Sequence, residues 1–532
     1  MALVAPFAPL AADISTFVLA TAGSFGATVE LTGLGLLGGY AGALLMRRRS
    51  ICWTWAAAGA GPSLVVWSLG GTDALWLPVA AITATRLGAR WHRSDLDAGG
   101  DLADLARASF GLRDGVASVS AKRAMSQEEW FAHDGLLVGR DERHAAVRVP
   151  LGDENGGSHV LVLGATGAGK TVTETWIATR AIDHGMGGVF VDPKGDPSLR
   201  RHLREAAERQ GRPFFEWSPE GPGVYNPFGR GSATEVVDRV LSAEHFTEPH
   251  YMRQAQRYLG HVVRALHSAA EPVTLASLVR HMDPEELEVL ARRLDDEQGA
   301  VVFGYLDSLT TRQRSELSGT RDRMAILAEG EAGVWLDPCT CDAPALDLLA
   351  AIRRRAVVLF TLDADRHPLL AQMLGAAVVQ DLITATAALQ RDPVPTLVVI
   401  DEFSAVAAEH VVRLFGRARS AGISLVLGTQ ELADLNLPGR GPLLKQVLGN
   451  VSTLIAHRQS VPESAELIAD MGGSRGAWRT AERDDGGYTR TRERQLVLHP
   501  DRIKSLPVGS AAVLVLAGRS PICVARMLAT SD

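Results

Sequence analysis

The sequence predicts an α/β protein in which a mainly parallel sheet carries a long helical insertion and follows an N-terminal helical membrane anchor. Three observations support this prediction. The first 85 residues are almost free of charge, and a glycine-rich loop near residue 164 lies between an apolar strand and a helix. Seven short apolar runs, from residue 159 onward, alternate with helical patterns, as expected when parallel strands are joined by crossover helices.

The N-terminal region is predicted to cross a membrane. Only six of its first 85 residues are charged, although 22% of the whole chain is. A hydrocarbon core requires roughly 20 apolar residues, and three apolar stretches approach that length: 31–46, 51–69 and 74–84. Arginines at 47–49 and 86–93 belong on the cytoplasmic side. We therefore expect 51–69 and 74–90 to form a hairpin whose Asp73 turn faces outward.

The anchor is assigned to residues 1–93, with two to four helices, and residues 94–134 are assigned to a linker. Two glycine pairs in the anchor are spaced four apart: Gly35 with Gly39, and Gly38 with Gly42. This spacing lets membrane helices approach closely and is compatible with oligomerisation. A pair of buried helices in a soluble domain is the alternative to a membrane anchor.

The body of the chain has the charge and cysteine content of a soluble intracellular protein. The net charge of −7 excludes a uniformly basic coat for nucleic acid, but it allows a local basic channel. Four cysteines in 532 residues cannot form a disulfide framework, which indicates a reducing compartment. Cys339 and Cys341 have no second ligand pair nearby, so a metal site is not expected there.

The most specific motif is a phosphate-binding loop. An apolar strand at 159–163 precedes the loop, and a helix-compatible run follows it to residue 182. The loop consists of Gly164, Ala165, Thr166, Gly167, Ala168, Gly169, Lys170 and Thr171. This is G-x-x-x-x-G-K-[ST] in the strand-loop-helix context that it needs. Lys170 is expected to bridge the β- and γ-phosphates of a nucleotide, while Thr171 offers its hydroxyl to Mg²⁺.

A second apolar strand ends in two acids. Residues 396–400 are uncharged, as is typical of a buried strand in a parallel sheet, and Asp401 and Glu402 follow. Asp401 is expected to hold Mg²⁺ through water, and Glu402 to orient or deprotonate the attacking water. This acid pair favours a nucleotide hydrolase over a simple nucleotide binder. The alternative is a helix N-terminus that happens to be acidic.

Further strands complete the predicted sheet: 187–191, 356–362, 423–427, 452–456 and 511–516. Their alternation with helices predicts a twisted, RecA-like sheet in which ligands bind at the carboxyl ends of the strands. The segment 192–196 follows one of these strands, and Gly428-Thr429-Gln430 follows another. Gln430 is thereby placed to sense the γ-phosphate and to couple hydrolysis to motion.

Taken together, the motifs resemble the TraG/TraD family of conjugative coupling proteins, which are membrane-anchored, hexameric, DNA-pumping ATPases of type IV secretion. The resemblance covers roughly residues 135–520. The segments that carry it are HVLVLGATGAGKT (159–171), VFVDPKGD (189–196), YNPF (225–228), LVVIDEF (397–403) and RSAGISLVLGTQ (419–430).

The resemblance implies a role for individual residues. Lys170 and Thr171 match the nucleotide loop, Asp401 and Glu402 match the metal and water carboxylates, and Gln430 matches the sensor glutamine. A further group matches a family motif without an assigned chemical role: Asp192, Lys194 and Asp196.

An arginine is also implied at the boundary between subunits. Arg419 lies eleven residues before Gln430, where the family resembles other ring motors in offering an arginine finger to the neighbouring subunit's site. Arg417 is the alternative. An exposed arginine on a helix can equally be a solvated side chain.

The resemblance further implies a nucleotide-binding domain made of 135–230 and 340–532, with an all-helical domain inserted at 231–339. Family members use that domain in DNA or substrate selection, and a plain helical scaffold is the alternative. A helix start is predicted at Asp283 and Pro284, and three leucines form its apolar face: Leu287, Leu290 and Leu294. The basic, aromatic-interleaved segment 475–494 can contact DNA phosphates or can be a solvated ribbon.

The expected protein is an ATP- and Mg²⁺-dependent motor in the inner membrane, with its ATPase body in the cytoplasm. Its expected partners are single-stranded DNA, a relaxase, type IV secretion channel proteins and further copies of itself in a homohexamer. Alternatives are a double-stranded DNA translocase of the FtsK or HerA type, and a secretion ATPase that powers protein export or channel assembly without gripping DNA. Glu402 and Gln430 disfavour a sensor that binds nucleotide without turnover.

Overall fold

The computed structural model describes residues 25–48, 53–97, 112–152, 156–244, 246, 248–340, 345–406, 408–436, 443–482, 488–516 and 522–530. The chain forms two compact units. The first comprises Met1–Glu129, Arg140–Ala146 and Gly472–Val497, and the second comprises Trp130–Gly139, Val147–Met471 and Leu498–Asp532.

The first unit begins with helices: α1 (Phe25–Arg48), α2 (Thr54–Gly70), α3 (Trp76–Asp97) and α4 (Leu112–Ser126). A 3-10 turn at Gly71–Ala74, which contains Asp73, joins α2 to α3. Helices therefore cover the stretches expected to span the membrane. Residues 1–24 of the predicted anchor, Arg49 of the first arginine cluster and residues 98–111 of the predicted linker lie outside the described residues.

Two glycines of α1 allow it to pack closely against another helix of the same chain. A Cβ on Gly35 would lie 2.7 Å from Val79 Cβ, and one on Gly39 would lie 2.6 Å from the Ala80 carbonyl oxygen. Both contacts are on α3, so this glycine pair allows α1 to pack closely against α3. Gly42 has no atom within 4 Å of such a Cβ. The Gly35/Gly39 spacing thus serves a helix contact within the chain.

The first unit also contains a two-stranded antiparallel hairpin, β11 (Ser474–Glu482) and β12 (Tyr488–Leu496). The remaining strands are β1 (Phe131–Ala132), β2 (Gly135–Asp141), β3 (Ala146–Val149), β4 (His159–Leu163), β5 (Gly187–Asp192), β6 (Phe214–Trp217), β7 (Val357–Thr361), β8 (Thr396–Ile400), β9 (Ile423–Thr429), β10 (Thr453–Ala456), β13 (Ser510–Val515) and β14 (Cys523–Met527).

These remaining strands form one twelve-stranded sheet, in the order β1-β2-β14-β13-β10-β4-β9-β8-β5-β7-β6, with β3 paired to β2. From β10 to β6 every neighbouring pair is parallel, whereas β13 pairs antiparallel with both β10 and β14. All seven strands expected from the sequence are present. The α/β sheet prediction is confirmed, with an antiparallel extension at one side.

The helices of the second unit cover both the sheet and the segment between β6 and β7. They are α5 (Lys170–Asp183), α6 (Pro197–Arg209), α7 (Ala233–Val240), α8 (Pro249–Ser268), α9 (Leu275–His281), α10 (Pro284–Ala291), α11 (Asp296–Asp307), α12 (Thr311–Ala328), α13 (Leu348–Arg353), α14 (Pro368–Leu389), α15 (Phe403–Val406), α16 (Ala408–Ala418), α17 (Leu443–Asn450), α18 (Pro462–Met471) and α19 (Pro500–Lys504).

From Ala233 to Leu336 the described regular elements are all helical. Helix α10 begins as predicted, because the Asp283 side chain accepts a hydrogen bond from the Glu285 backbone N–H and Pro284 occupies the first position. Its Leu287 and Leu290 are buried. The helix ends at Ala291, so Leu294 lies beyond it.

One described helix is both long and apolar enough to cross a membrane. It is α14 (Pro368–Leu389), and 72% of its apolar window is buried inside the protein, while the apolar helix Glu30–Met46 is shorter. The burial of α14 identifies it as a core helix. Insertion of α1 to α3 into a bilayer remains a prediction.

Candidate nucleotide site

Except for Arg419, the predicted site residues lie at the carboxyl ends of four adjacent strands. Strand β4 carries the glycine-rich loop, β9 ends beside Gln430, β8 ends beside Asp401 and Glu402, and β5 leads to Lys194. The sheet order places β9 between β4 and β8, and β5 next to β8. Because all four strands are parallel, their carboxyl ends meet at one edge, where ligands bind in such sheets.

The glycine-rich loop has the backbone conformation that its glycines permit. Gly167 has φ +76° and Gly169 has φ +109°, both in the left-handed region that side chains disfavour. The Gly164 N–H donates to the Thr429 carbonyl at 3.3 Å, and the Ala165 N–H donates to the Arg458 carbonyl at 3.1 Å. The loop is therefore held from both neighbouring strands, with α5 starting at Lys170.

Lys170 is buried between carboxylates. Its Nζ contacts Asp401 Oδ1 and lies 3.4 Å from Glu402 Oε1, and the residue is only 6% exposed. Burial alone would lower the pKa of Lys170, but the negative charges of Glu174, Asp401 and Glu402 raise it above its ordinary value. The ammonium group is thus held charged in a position from which it can turn to a phosphate.

Glu402 accepts contacts from three donors at one oxygen. Besides Lys170, Lys194 Nζ lies 2.8 Å from Glu402 Oε1, and Gln430 Nε2 donates to the same oxygen at 3.3 Å. Burial would raise the pKa of Glu402, but Lys170 and Lys194 hold it below its ordinary value. Glu402 also has φ +44°, an unfavourable conformation for a side chain with a Cβ, of a kind that clusters at active sites.

Glu174 is a third carboxyl group at this site, which the sequence analysis did not single out. It lies one turn after Lys170 on α5 and is 3% exposed, and its Oε1 has no hydrogen-bond partner among the described residues. Burial, with the negative charge of Asp401, raises the pKa of Glu174 well above its ordinary value. The signal in the sequence is an acid four positions after the P-loop lysine, on the same helix face.

Gly428 leaves the space in which the Glu174 and Asp401 carboxyl groups approach each other. A Cβ at Gly428 would lie 2.1 Å from Glu174 Oε1 and 2.7 Å from Asp401 Oδ1. The glycine of the 428–430 segment therefore lets two carboxyl groups approach the end of β9, whereas any larger residue would displace them.

In the segment 192–196, two aspartates fix the backbone and Lys194 contacts Glu402. Asp192 accepts hydrogen bonds from the backbone N–H groups of Lys194 at 2.9 Å and Asp196 at 2.6 Å. Asp196 in turn caps α6 by accepting from Ser198 N at 2.8 Å. These bonds fix the turn after β5, and the turn directs Lys194 to Glu402.

His457 packs behind the glycine-rich loop. Its Nδ1 lies 3.1 Å from the Ser510 carbonyl oxygen, which can only accept, so Nδ1 carries the proton. Its Nε2, 3.0 Å from Thr173 Oγ1, is then the acceptor. Burial lowers the pKa of His457 to about 4, and nearby Lys170 contributes to the shift. His457 is therefore a neutral brace between β10, α5 and β13.

Arg419 lies at the opposite edge of the sheet from these groups. It precedes β9, and its carbonyl accepts from Gly157 N at 2.9 Å just before β4 begins. The length of a five-residue strand, at roughly 3.3 Å per residue, separates it from the carboxyl ends. Arg417 and Arg419 are both exposed. The structure therefore brings Lys170, Glu402 and Gln430 together but leaves Arg419 outside the reach of its own site.

The donors at this edge fit Mg²⁺ with a nucleotide. Asp401, Glu402 and the Thr171 hydroxyl are hard oxygen ligands. Among the described residues, however, no group of three or more His, Cys, Asp or Glu side chains has the arrangement of a protein-only metal site. Mg²⁺ usually takes one or two carboxylates and completes its shell with water and phosphate. The fit is therefore to a metal that arrives with the nucleotide.

Sequence comparison finds a family match in the second half of the chain. Residues 395–508 match the family described as "TraM recognition site of TraD and TraG". A curated relative, the type 4 coupling protein DotL of Legionella pneumophila subsp. pneumophila, is 27% identical over 143 residues. That alignment covers 24% of this chain and 16% of the relative, so the chain aligns with only a small part of DotL.

Solved structures share the fold. The unbound bacterial conjugative coupling protein TrwB, lacking its first 70 residues, matches with a TM-score of 0.58 at 18% identity and covers 77% of this chain and 92% of its own. TrwB in complex with ADP and Mg²⁺ matches with a TM-score of 0.52 at 19% identity, covering 70% and 86%. VirB4 of Thermoanaerobacter pseudethanolicus matches with a TM-score of 0.51 at 16% identity, covering 75% and 98%.

The expected RecA-like P-loop fold is therefore confirmed by neighbours that cover most of the chain. The family match falls on the part of the chain that holds Asp401, Glu402 and Gln430. Together, the family match, the curated relative and the shared fold confirm the resemblance of this chain to the TraG/TraD-type coupling proteins of type IV secretion.

Proposed function

We propose that this chain is a membrane-anchored ATPase that moves DNA, in single-stranded form and with its attached relaxase, through the channel of a conjugative type IV secretion system. The observation that carries the ATPase part is the convergence on Glu402 of Lys170, Lys194 and Gln430, within 3.4 Å of one carboxylate oxygen. A site that only holds nucleotide does not require a carboxylate polarised in this way.

The chemistry follows from these side chains. On nucleotide binding, Lys170 exchanges its contact with Asp401 for the β- and γ-phosphates, which the glycine-rich loop receives through its backbone N–H groups. Asp401 and Thr171 are then available to Mg²⁺, which would neutralise charge on the phosphates. Glu402, whose ionised form is stabilised by Lys170 and Lys194, accepts the proton of the attacking water or orients it. Gln430, already hydrogen-bonded to Glu402, reports the presence of the γ-phosphate to β9.

The proposed motor is a ring of identical subunits. Arg419 is exposed and lies a strand length from its own glycine-rich loop, so any contact it makes with a γ-phosphate is made on a neighbouring subunit. A homohexamer that places nucleotide between subunits supplies such a neighbour. The arginine then stabilises charge on the transferring phosphoryl group in trans.

The substrate and partners rest on the resemblance. The curated relative is named a type 4 coupling protein, and the matched family is described by a recognition site for TraM. We propose that residues 395–508 contribute to recruiting accessory proteins of the DNA-processing complex, and that α1 to α3 hold the ATPase body at the cytoplasmic face of the inner membrane. The helical segment 231–339 then faces the substrate before its entry into the ring.

The test is DNA-stimulated turnover. We expect the full-length protein in detergent to hydrolyse ATP faster when single-stranded DNA is added, and Lys170→Ala to abolish both basal and stimulated rates. The exposed Lys445→Ala provides a matched lysine control and should behave as wild type. Turnover that ignores every nucleic acid would favour the protein-export ATPase, and stimulation by duplex DNA alone would favour a double-stranded DNA translocase.

A further inference from the structure

The β11–β12 hairpin separates its residues onto two different faces. In its register Gly476 is opposite Arg494, Trp478 is opposite Arg492, and Thr480 is opposite Arg490. Residues directly opposite each other in an antiparallel pair share a face, and the face alternates along each strand. One face, called here the aromatic face, therefore includes Arg490, Arg492, Arg494, Trp478 and Tyr488.

The other face has a different composition. It carries Arg475 opposite Gln495, Ala477 opposite Glu493, and Arg479 opposite Thr491. Two arginines and one glutamate lie on it, without an aromatic residue. The aromatic face has three arginines and two aromatic residues, with Glu482 as its acid. The hairpin strands hold five arginines against two glutamates, in a chain whose net charge is −7.

The arginines of the aromatic face form a regular row. They occupy alternate positions of β12, so their Cα atoms repeat at roughly 6.8 Å, two residues along an antiparallel strand. Arg492 and Arg494 are exposed. Gly476 leaves space for one of them, because a Cβ there would lie 3.0 Å from Arg492 Nε. At this position β11 therefore has no side chain that would occupy the space beside the arginine row.

We propose that the aromatic face of this hairpin binds a single-stranded polynucleotide, with Arg490, Arg492 and Arg494 contacting successive phosphates and Trp478 and Tyr488 stacking on bases. The inference rests on the proposed DNA-translocating function and adds a site outside the nucleotide-binding edge. A row of arginine positions on β12, whose Cα repeat is comparable to that of a phosphodiester backbone, supplies the charge complementarity. Duplex DNA buries its base faces, so the aromatic residues select an unpaired strand.

The two faces supply a matched experiment. Affinity of the full-length protein for a fluorescent oligothymidine is measured by anisotropy over a range of salt concentrations, for Arg492→Ala/Arg494→Ala and for Arg475→Ala/Arg479→Ala. Both variants remove two arginines from the hairpin. We expect the first to lose at least tenfold in affinity at low salt, and its slope of log K against log salt to fall by about 1.4. The second should stay within about twofold of wild type.

A third variant tests the aromatic residue. Trp478→Ala should weaken single-strand binding by about fivefold or more without changing the salt slope, since stacking involves no counterion release. ATPase activity without DNA should be unchanged in all three variants, which shows that the nucleotide site is folded.

The outcomes separate this inference from the function on which it rests. Equal losses from the two arginine pairs, or none from either while wild type binds DNA, overturn the hairpin site alone. Absence of polynucleotide binding by wild type overturns both. Loss of binding to vesicles containing phosphatidylserine, with DNA affinity unchanged, also overturns it and assigns the face to a membrane surface.

Discussion

Arg419 is the residue whose position most constrains how the protein works. It lies beside Gly157 at the amino edge of the sheet, while Lys170 and Glu402 lie at the carboxyl edge. An arginine side chain cannot span that distance. A catalytic contribution from Arg419 therefore requires a second subunit.

We expect Arg419→Ala to bind ATP normally but to hydrolyse it about a thousandfold more slowly, the lower range for loss of an arginine finger. Mixing it with Lys170→Ala subunits should partly restore ATPase activity. In mixed rings an intact nucleotide site can face an intact arginine. The control is Arg417→Ala, which should keep wild-type turnover. If mixing restores nothing, Arg419 does not act in trans.

His457 makes stability depend on pH. Its pKa is about 4 in the folded protein and near 6.5 when exposed. Between these values the unfolded chain binds more protons, so the stability contributed by the neutral imidazole is complete above about pH 6.5 and is lost as pH falls towards 4. Where the unfolded chain binds one proton more than the folded protein, the free energy of unfolding changes by about 1.4 kcal/mol per pH unit.

Urea unfolding from pH 7 to 4 measures this dependence. In His457→Gln the free energy of unfolding should fall less steeply as the pH is lowered. The change in slope should correspond to at most one proton. His159 and His261, whose pKa values burial and nearby arginines also lower to about 4, leave two further protons in place. His250→Gln, at an exposed position, is the control and should leave the slope as in wild type. An unchanged slope in His457→Gln would mean that this imidazole is not the group being titrated.

Much of the site could be predicted residue by residue, because a phosphate loop and an acidic strand end are local patterns. Glu174 and Lys194 could not be placed in this way. Their proximity to Asp401 and Glu402 depends on which strands are neighbours, and a single sequence does not encode strand order locally. Arg419 shows the reverse case. The family resemblance identified it, and only the fold shows that it lies away from its own site.

At the scale of elements, the YNPF segment is held to α14 by a buried polar network. The Tyr225 hydroxyl donates to Asp381 Oδ2 at 2.9 Å, and Arg239 Nη2 lies 3.5 Å from Asp381 Oδ1. All three residues are at most 5% exposed. Arg239 also donates to the Arg230 carbonyl at 2.9 Å. The network joins α7 to α14 where an apolar contact would leave the register of the two helices less specific.

Removing Asp381 should be far more damaging than removing the Tyr225 hydroxyl. Asp381→Ala leaves the Arg239 charge buried without its acid, at a cost of about 3–5 kcal/mol. Tyr225→Phe leaves the carboxylate paired with Arg239 and should cost about 1 kcal/mol. The two shifts in urea midpoint provide the comparison. Similar midpoints would show that the buried charges do not stabilise this contact.

The strands that could be predicted are those buried on both faces, because their continuous apolar runs are recognisable without neighbours. The missed ones are short or lie towards the sides of the sheet. Strand β14 alternates partly exposed residues with a buried Ala525, and β6 has four residues, of which Trp217 alone is fully buried. Pairing with an existing sheet, rather than local propensity, makes such segments into strands.

At the scale of the whole molecule, charge is distributed unevenly. The chain carries −7, yet the β11–β12 strands carry three more arginines than acids. Acidic groups elsewhere keep the protein from binding polynucleotide over its entire surface. For the proposed motor, contacts confined to a small surface would allow each segment of the substrate to be released.

Strand β14 completes the sheet between β2 and β13. Deleting residues 522–532 should expose the edges of both neighbours, and exposed edges promote pairing between molecules. We expect the truncated protein to aggregate on size-exclusion chromatography. Deletion of residues 529–532, which spares β14, is the control. A monodisperse, active truncation would show that β14 is dispensable to the sheet.

The position of β14 also has a consequence for biosynthesis. Strand β2 leaves the ribosome about 390 residues before the strand that pairs with it, as the Leu528 N–H to Val138 carbonyl bond illustrates. The N-terminal helices α1 to α4 will by then have been synthesised in full. The twelve-stranded sheet cannot close during most of translation, so its folding is largely post-translational.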